Sequence, residues 1–107
     1  MRRGAIIWVN LEDATPPEFG KTRPCLIISN TGQNTILDTV VILPISTRPP
    51  EIWPLRLRLP MEKLKDSFVI VPGIRQVNKT RLMDVIGQAP SNFLGVVDES
   101  LRAYLGD

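Results

Sequence analysis

Residues 55–59 read Leu55-Arg56-Leu57-Arg58-Leu59, an unbroken alternation of apolar and charged side chains. Successive side chains of a strand point to opposite faces, so this stretch predicts a half-buried strand with leucines toward a core and arginines toward solvent. On its C-terminal side, Lys63 to Asp66 predicts a polar turn. Ser67 to Val71 and Gly73 to Val77 predict short strands broken at Pro72-Gly73, and Met83 to Gly87 a last short strand. On its N-terminal side, Ser46-Thr47-Arg48-Pro49-Pro50 is a strong break that follows a buried strand, Thr39 to Ile45. Pro24 to Ser29 reads as another buried strand, and Asn30 to Asn34, with Gly32 inside it, as a turn. Glu12 to Lys21, with two prolines and a glycine, reads as a loop, and the Trp-containing run Ile6 to Leu11 as the first strand. Five or six short strands at this spacing suggest a small barrel or sandwich rather than βαβ units.

After residue 90 the period changes. Phe93, Leu94, Val97, Leu101, Tyr104 and Leu105 recur at three and four residues and share one helix face, with Ser91 or Asn92 to cap the start and Gly106 at the end. The fold class is therefore mainly β with a C-terminal helix.

The chain has 107 residues, room for one domain spanning 1–107. Its apolar fraction of 43% and charged fraction of 22% are those of a globular protein, which excludes disordered, collagenous and low-complexity classes. Thirteen Lys and Arg against eleven Asp and Glu give a net charge of +2. That excludes an acidic solvating protein, and it is too mild to demand a nucleic-acid partner by itself. Cys25 is the single cysteine, so there is no internal disulfide and no thiolate zinc cluster. The chain has no histidine, which removes the commonest general base, the commonest metal ligand and every Ser-His or Cys-His dyad. No apolar run approaches ~18 residues, and Met1-Arg2-Arg3 leads into Gly4 and a strand rather than a signal sequence. The expectation is a soluble cytoplasmic protein with no membrane partner.

Without histidine, acid–base chemistry falls to carboxylates, hydroxyls, lysines, arginines or water. In Glu18-Phe19-Gly20-Lys21-Thr22-Arg23-Pro24 a glycine-bearing loop delivers a carboxylate and two cations to the start of a buried strand. Arg23 is a planar, multi-donor cation suited to phosphate. A solvated loop with a surface ion pair between Glu18 and Lys21 or Arg23 is the plainer reading of the same spacing. Ser46 and Thr47 end another buried strand, where a hydroxyl can bond a phosphate oxygen or simply the turn backbone. Arg75, Lys79 and Arg81, with Arg48, Arg56 and Arg58, are candidates to line a basic groove for a polyanion, set against ordinary solvated charge. Trp53, in the Pro-rich loop, is a candidate base-stacking platform or a loop clamp. Trp8 reads as core, and Cys25 as an inert core thiol.

Several stretches together resemble the MazF/PemK toxin family: Arg3 to Leu11 (Arg-Gly-Ala-Ile-Ile-Trp-Val-Asn-Leu), Glu18 to Asn30 with its Gly-Lys-Thr-Arg-Pro motif, Val40 to Arg48, Ile74 to Leu82, and Val97 to Leu101. They occur in order over almost the whole chain. The resemblance implies an SH3-like small barrel of the CcdB/Kid/MazF type with a C-terminal helix, working as a homodimer. It implies a sequence-specific endoribonuclease that cuts single-stranded RNA without a cofactor or metal, and a cognate antitoxin protein that blocks the RNA site. It further implies that Arg23 and Ser46, with Thr47 beside it and Glu18 in the first loop, carry cleavage. The basic and aromatic residues expected to contact RNA are Lys21, Arg48, Trp53, Arg75 and Lys79. A non-catalytic barrel of the same fold, binding a protein partner as gyrase poisons do or binding RNA without cutting it, is the alternative.

Overall fold

A computed structural model of the chain describes residues 1–12 and 21–106. The order is β1 (Ala5–Asn10), β2 (Thr22–Ile27), α1 (Thr31–Ile36), β3 (Thr39–Ser46), β4 (Arg56–Arg58), β5 (Phe68–Ile70), β6 (Arg75–Asn78), β7 (Leu82–Gln88) and α2 (Ser91–Leu105). Short 3-10 turns cover Glu62–Leu64, Val71–Gly73 and Lys79–Arg81.

All pairings are antiparallel. β1 lies between β2 and β7, and β2 between β1 and β3. β3 is long enough to change partners along one edge. Its first half, Thr39 to Ile42, pairs with β6, and its end, Ile45 and Ser46, pairs with β5, which carries β4 on its other side. The turn Lys79–Arg81 joins β6 to β7. It bonds two other strands' ends: the Lys79 N–H donates to the Asp38 carbonyl at 2.9 Å, and the Arg81 guanidinium to the Asn10 carbonyl at 3.2 Å. The five strands β6-β3-β2-β1-β7 thereby wrap into a small barrel, the architecture expected from the short, closely spaced strands.

The barrel has two buried faces, which is why β1 and β3 read as continuous apolar runs rather than alternations. Ala5, Ile7, Val9, Cys25, Ile27, Val40, Ile42 and Val77 fill the interior. Ile6, Leu26, Leu43 and Ile45 point outward and are covered by Leu57, Leu59, Val69 and Val71 around β4 and β5 and by Phe93, Leu94 and Val97 of α2. Each fully buried aliphatic side chain contributes roughly 1.5–3 kcal/mol. Leu57 and Leu59 are buried while Arg56 and Arg58 face outward, as the alternation requires.

Four expectations are corrected. The turn at Asn30 to Asn34 is instead the start of a short helix: Asn30 caps it by accepting from the Gly32 and Gln33 N–H groups. Asn34 is buried there, donating to the carbonyls of Met1 and Ser29. Trp8 is not core. It points outward beyond the area α2 covers, opposite Pro24, and is 39% exposed. Neither Ser91 nor Asn92 caps α2, whose N-cap is Pro90 with no side-chain bond. The apolar face of α2 buries only as far as the barrel reaches, so Phe93, Leu94 and Val97 are covered while Tyr104 and Leu105 are exposed.

Candidate functional site

Arg23 stands one residue into β2, with its backbone opposite Val9 of β1. β2 and β3 run with Cys25 opposite Pro44. Continued two places, that register brings Arg23 beside Ser46, the last residue of β3. Residues two apart share a face of a strand, so both side chains lie on the interior side of the barrel, at its rim. Arg75 opens β6 opposite Ile42, on the same side.

The thiol of Cys25 reports on this rim. Burial pushes it up from 9.0 to about 12, and the positive charges of Arg23 and Arg75 pull it the other way. Both guanidinium groups therefore act on one buried sulfur, which sits within 3.6 Å of the Arg23 carbonyl oxygen. The thiol stays protonated at neutral pH, as expected of an inert core cysteine.

Ser46 is buried, and its Oγ accepts from the Arg48 N–H at 3.1 Å, closing the turn out of β3. With one lone pair so used, the hydroxyl proton can still be given to an anionic oxygen at the rim. Thr47 and Arg48 follow as exposed residues. The loop then folds back on β4. Ile52 and Arg56 exchange backbone bonds of 2.9 and 2.6 Å, and the Arg56 guanidinium donates to the Arg48 carbonyl at 3.0 Å. Trp53 rides on this loop, about half exposed. Lys21 enters β2 with a left-handed φ of +65° and is exposed, its carbonyl accepting from the Leu11 N–H at 2.7 Å. Glu18 lies outside the described residues.

Lys21, Arg23, Arg48 and Arg75 thus come from segments that converge on one rim, an arrangement suited to phosphates. Lys79 does not join them. It bonds Asp38 beside the start of β3, on the order of 20 Å along that strand from Ser46. Arg58 is held elsewhere, bonded to Asp66 at 3.2 Å with its guanidinium 5.0 Å from the Phe68 ring centre. Arg56 is engaged with the Arg48 carbonyl. Sequence reasoning missed Glu51, whose carboxylate accepts from the Arg58 N–H at 3.1 Å. Its position in the Pro-rich loop was the only available signal. Among the described residues no group of three or more Cys, Asp and Glu is placed to hold a metal ion. No described helix is long and apolar enough to cross a membrane.

Residues 2–105 match the family described as PemK-like, MazF-like toxin of type II toxin–antitoxin system. The chain is 31% identical over 108 residues to the endoribonuclease MazF2 of Mycobacterium bovis, covering 96% of this chain and 95% of that one. It is 26% identical over 109 residues to the endoribonuclease EndoA of Bacillus subtilis, covering 98% and 94%. Its fold superposes on the crystal structure of MazF from Deinococcus radiodurans with a TM-score of 0.86 at 23% identity, over 100% of this chain and 97% of that one. A mycobacterial endoribonuclease solved with its cognate antitoxin superposes with a TM-score of 0.83 at 22% identity, over 99% and 95%. With a family match over nearly its whole length and the same barrel, the chain belongs to the PemK-like, MazF-like toxins of type II toxin–antitoxin systems.

Proposed function

We propose that this toxin is an endoribonuclease that cuts single-stranded RNA at specific sequences, without a metal, using the substrate's own 2′-hydroxyl as nucleophile. The observation that carries the reading is the rim: the β2–β3 register continues to Arg23 beside Ser46, and Arg75 acts on the same buried thiol as Arg23. Relatives named endoribonucleases support the activity. In the reaction, the 2′-oxygen attacks the adjacent phosphorus and gives up its proton, and the bond to the 5′-oxygen breaks. That oxygen takes a proton, leaving a 2′,3′-cyclic phosphate and a 5′-hydroxyl. Negative charge builds on the non-bridging oxygens, where the Arg23 fork stabilises it and Arg75 adds a second cation. Ser46 donates its hydroxyl proton to one such oxygen, with Thr47 next to it. Glu18 is the carboxylate the sequence offers to orient Arg23 or accept the proton. Lys21 and Arg48 hold flanking phosphates, Trp53 stacks a base, and Lys79 serves only as a remote contact at the far end of β3.

The same reading gives the toxin a cognate antitoxin that covers the rim, a homodimeric state and a cytoplasmic place of action. Met83, Val85 and Leu105 are exposed apolar residues, and among the described strands β7 pairs with β1 alone, leaving an edge that a second copy would cover. A sedimentation profile showing only the monomer mass in the absence of antitoxin contradicts the dimer.

The decisive assay is cleavage of a long single-stranded RNA with the ends mapped. Arg23→Ala, with an unchanged circular-dichroism spectrum, is expected to lose about 10²–10³ in rate, the cost of one transition-state donor. Cleavage is expected to survive excess chelator, and a single 2′-deoxyribose before the cut is expected to stop it while binding persists. Strict dependence on added magnesium, or cutting at the deoxy position, overturns the mechanism. Binding without any cutting returns the protein to the non-catalytic alternative.

A further inference from the structure

The segment 47–50 leaves Ser46 and carries Thr47 and Arg48 past the rim, and all four of its residues are exposed. Little core holds it. What holds it is a strap along the outer edge of β4, the edge not paired with β5. Three bonded links make the strap. The Arg56 guanidinium donates to the Arg48 carbonyl at 3.0 Å. Ile52 and Arg56 exchange backbone bonds. The Glu51 carboxylate accepts the Arg58 N–H at 3.1 Å, the next outward-pointing donor of β4. Glu51 and Arg56 thus pin the segment at both ends, while Arg58 is itself fixed by Asp66 and Phe68.

Glu51 is a carboxylate on the segment that leads from the cationic rim, where a polyanion is proposed to bind. Charge alone makes it unfavourable there. Its carboxylate is turned onto β4, where the backbone donor gives it a role that its charge does not.

We infer that Glu51 is a positioning residue for RNA: with Arg56 it straps segment 47–50 to β4, so that Thr47 and Arg48 meet the substrate already ordered. This rests on the RNA-cleaving reading above. The Ser46 backbone is set by its pairing with Phe68 of β5, and the strap reaches its hydroxyl only through the Arg48 N–H, so the strap acts on binding more than on the chemical step.

The test is steady-state cleavage of a short single-stranded RNA by the full chain, comparing wild type, Glu51→Ala, Glu51→Gln and Arg56→Lys. Glu51→Ala is expected to raise KM about fivefold to tenfold, the net loss of one hydrogen bond, with a smaller change in kcat. Glu51→Gln keeps an acceptor for the Arg58 N–H and drops the charge, so its KM is expected to match or fall below that of the wild type. Arg56→Lys keeps the charge and one donor, and is expected to lie between wild type and Glu51→Ala. If charge were the whole role of Glu51, both substitutions at that position would lower KM by the same factor, and that result overturns the inference. A general loss of folded protein would lower apparent kcat at constant KM, and that result overturns it too. If the wild type itself does not cut RNA, the functional reading fails instead, and the two failures are distinguished by the wild-type lane alone.

Discussion

Gly4 is buried with φ at +92°, a conformation that side chains of L-residues rarely adopt. It is also a junction. Its N–H donates to the Ile27 carbonyl at 2.7 Å, tying it to β2, and its carbonyl accepts from the Ala89 N–H at 2.8 Å, tying it to the entry of α2. A Cβ added there would stand 2.9 Å from Cδ1 of Leu94 and closer still to the Gln88 amide, which donates to the Arg3 carbonyl. Gly4→Ala therefore incurs a backbone cost of about 1–2 kcal/mol for the left-handed region and about 1–3 kcal/mol for overpacking against Leu94. At about 4–8 °C per kcal/mol for a domain of this size, the expected drop in melting temperature is roughly 8–40 °C. Thermal unfolding followed by circular dichroism reads it directly. Gly4 bonds the Ile27 end of β2, whereas Arg23 lies at the opposite end. Activity per folded molecule at low temperature is therefore expected to stay at the wild-type level. A variant that melts with the wild type refutes the packing argument. A fully folded variant that has lost cleavage refutes the separation of this junction from the rim.

Ser46→Ala is expected to slow cleavage more than Thr47→Ala, because Ser46 is buried at the end of β3 while Thr47 is exposed; the reverse order in single-turnover rates would shift the assignment by one residue. Cys25 carries a pH dependence. Its folded value, about 12, lies above the ordinary 9.0, so the stability that comes from burying a neutral thiol is complete below pH 9 and is lost as pH rises toward 12. Denaturation midpoints of wild type are expected to fall over that range relative to Cys25→Ala, and parallel curves would contradict it. Asn34→Ala removes bonds from a buried amide to the Met1 and Ser29 carbonyls and to the Ser29 hydroxyl, leaving part-buried partners unmatched. Urea unfolding is expected to show a loss of about 1–3 kcal/mol, and a neutral result would mean that α1 is not anchored through this side chain.

Much of the fold is legible in the chain because its strands are short, apolar and punctuated by proline and glycine. The two-sided burial of β1 and β3 is written in their unbroken apolar runs. α1 is not legible, since Thr31, Gly32 and Asn34 are poor helix formers, and what supports the helix is the Asn30 cap and the Asn34 bonds to the carbonyls of Ser29, just before the cap, and of distant Met1. Trp8 looked like core because a strand pattern says which face a residue takes, not how far the covering helix extends. The same limit applies to Tyr104 and Leu105 at the C-terminal end of α2. At the site, Arg23 and Ser46 were legible as residues that begin and end buried strands. Lys79 lies close to Arg75 in the chain, but a strand and a tight turn carry it to the other end of β3, a separation that sequence distance does not show. Glu51 had no signal beyond its loop, since its partner is a backbone N–H that no side-chain pattern encodes.

The partner change along β3 and the closure of β1 onto β7 fix the order in which this molecule can assemble. β1 meets β2 across at most twenty residues of chain, as in Ile6 opposite Leu26, but meets β7 across more than seventy, as in Val9 opposite Leu82. β3 waits for β6 in the same way, Thr39 opposite Asn78. Such distant pairings carry loop-closure entropy before any contact repays it, which places the barrel among the slower-folding topologies. On a ribosome β1 is the first of these strands to emerge and β7 the last, so the β1–β2–β3 meander can form early while its interior stays open. The rim follows the same schedule: Arg23 and Ser46 are available early, but Arg75 docks only when β6 has been made. A nascent chain therefore carries an incomplete site for most of its synthesis, and the complete one arises only once the barrel closes.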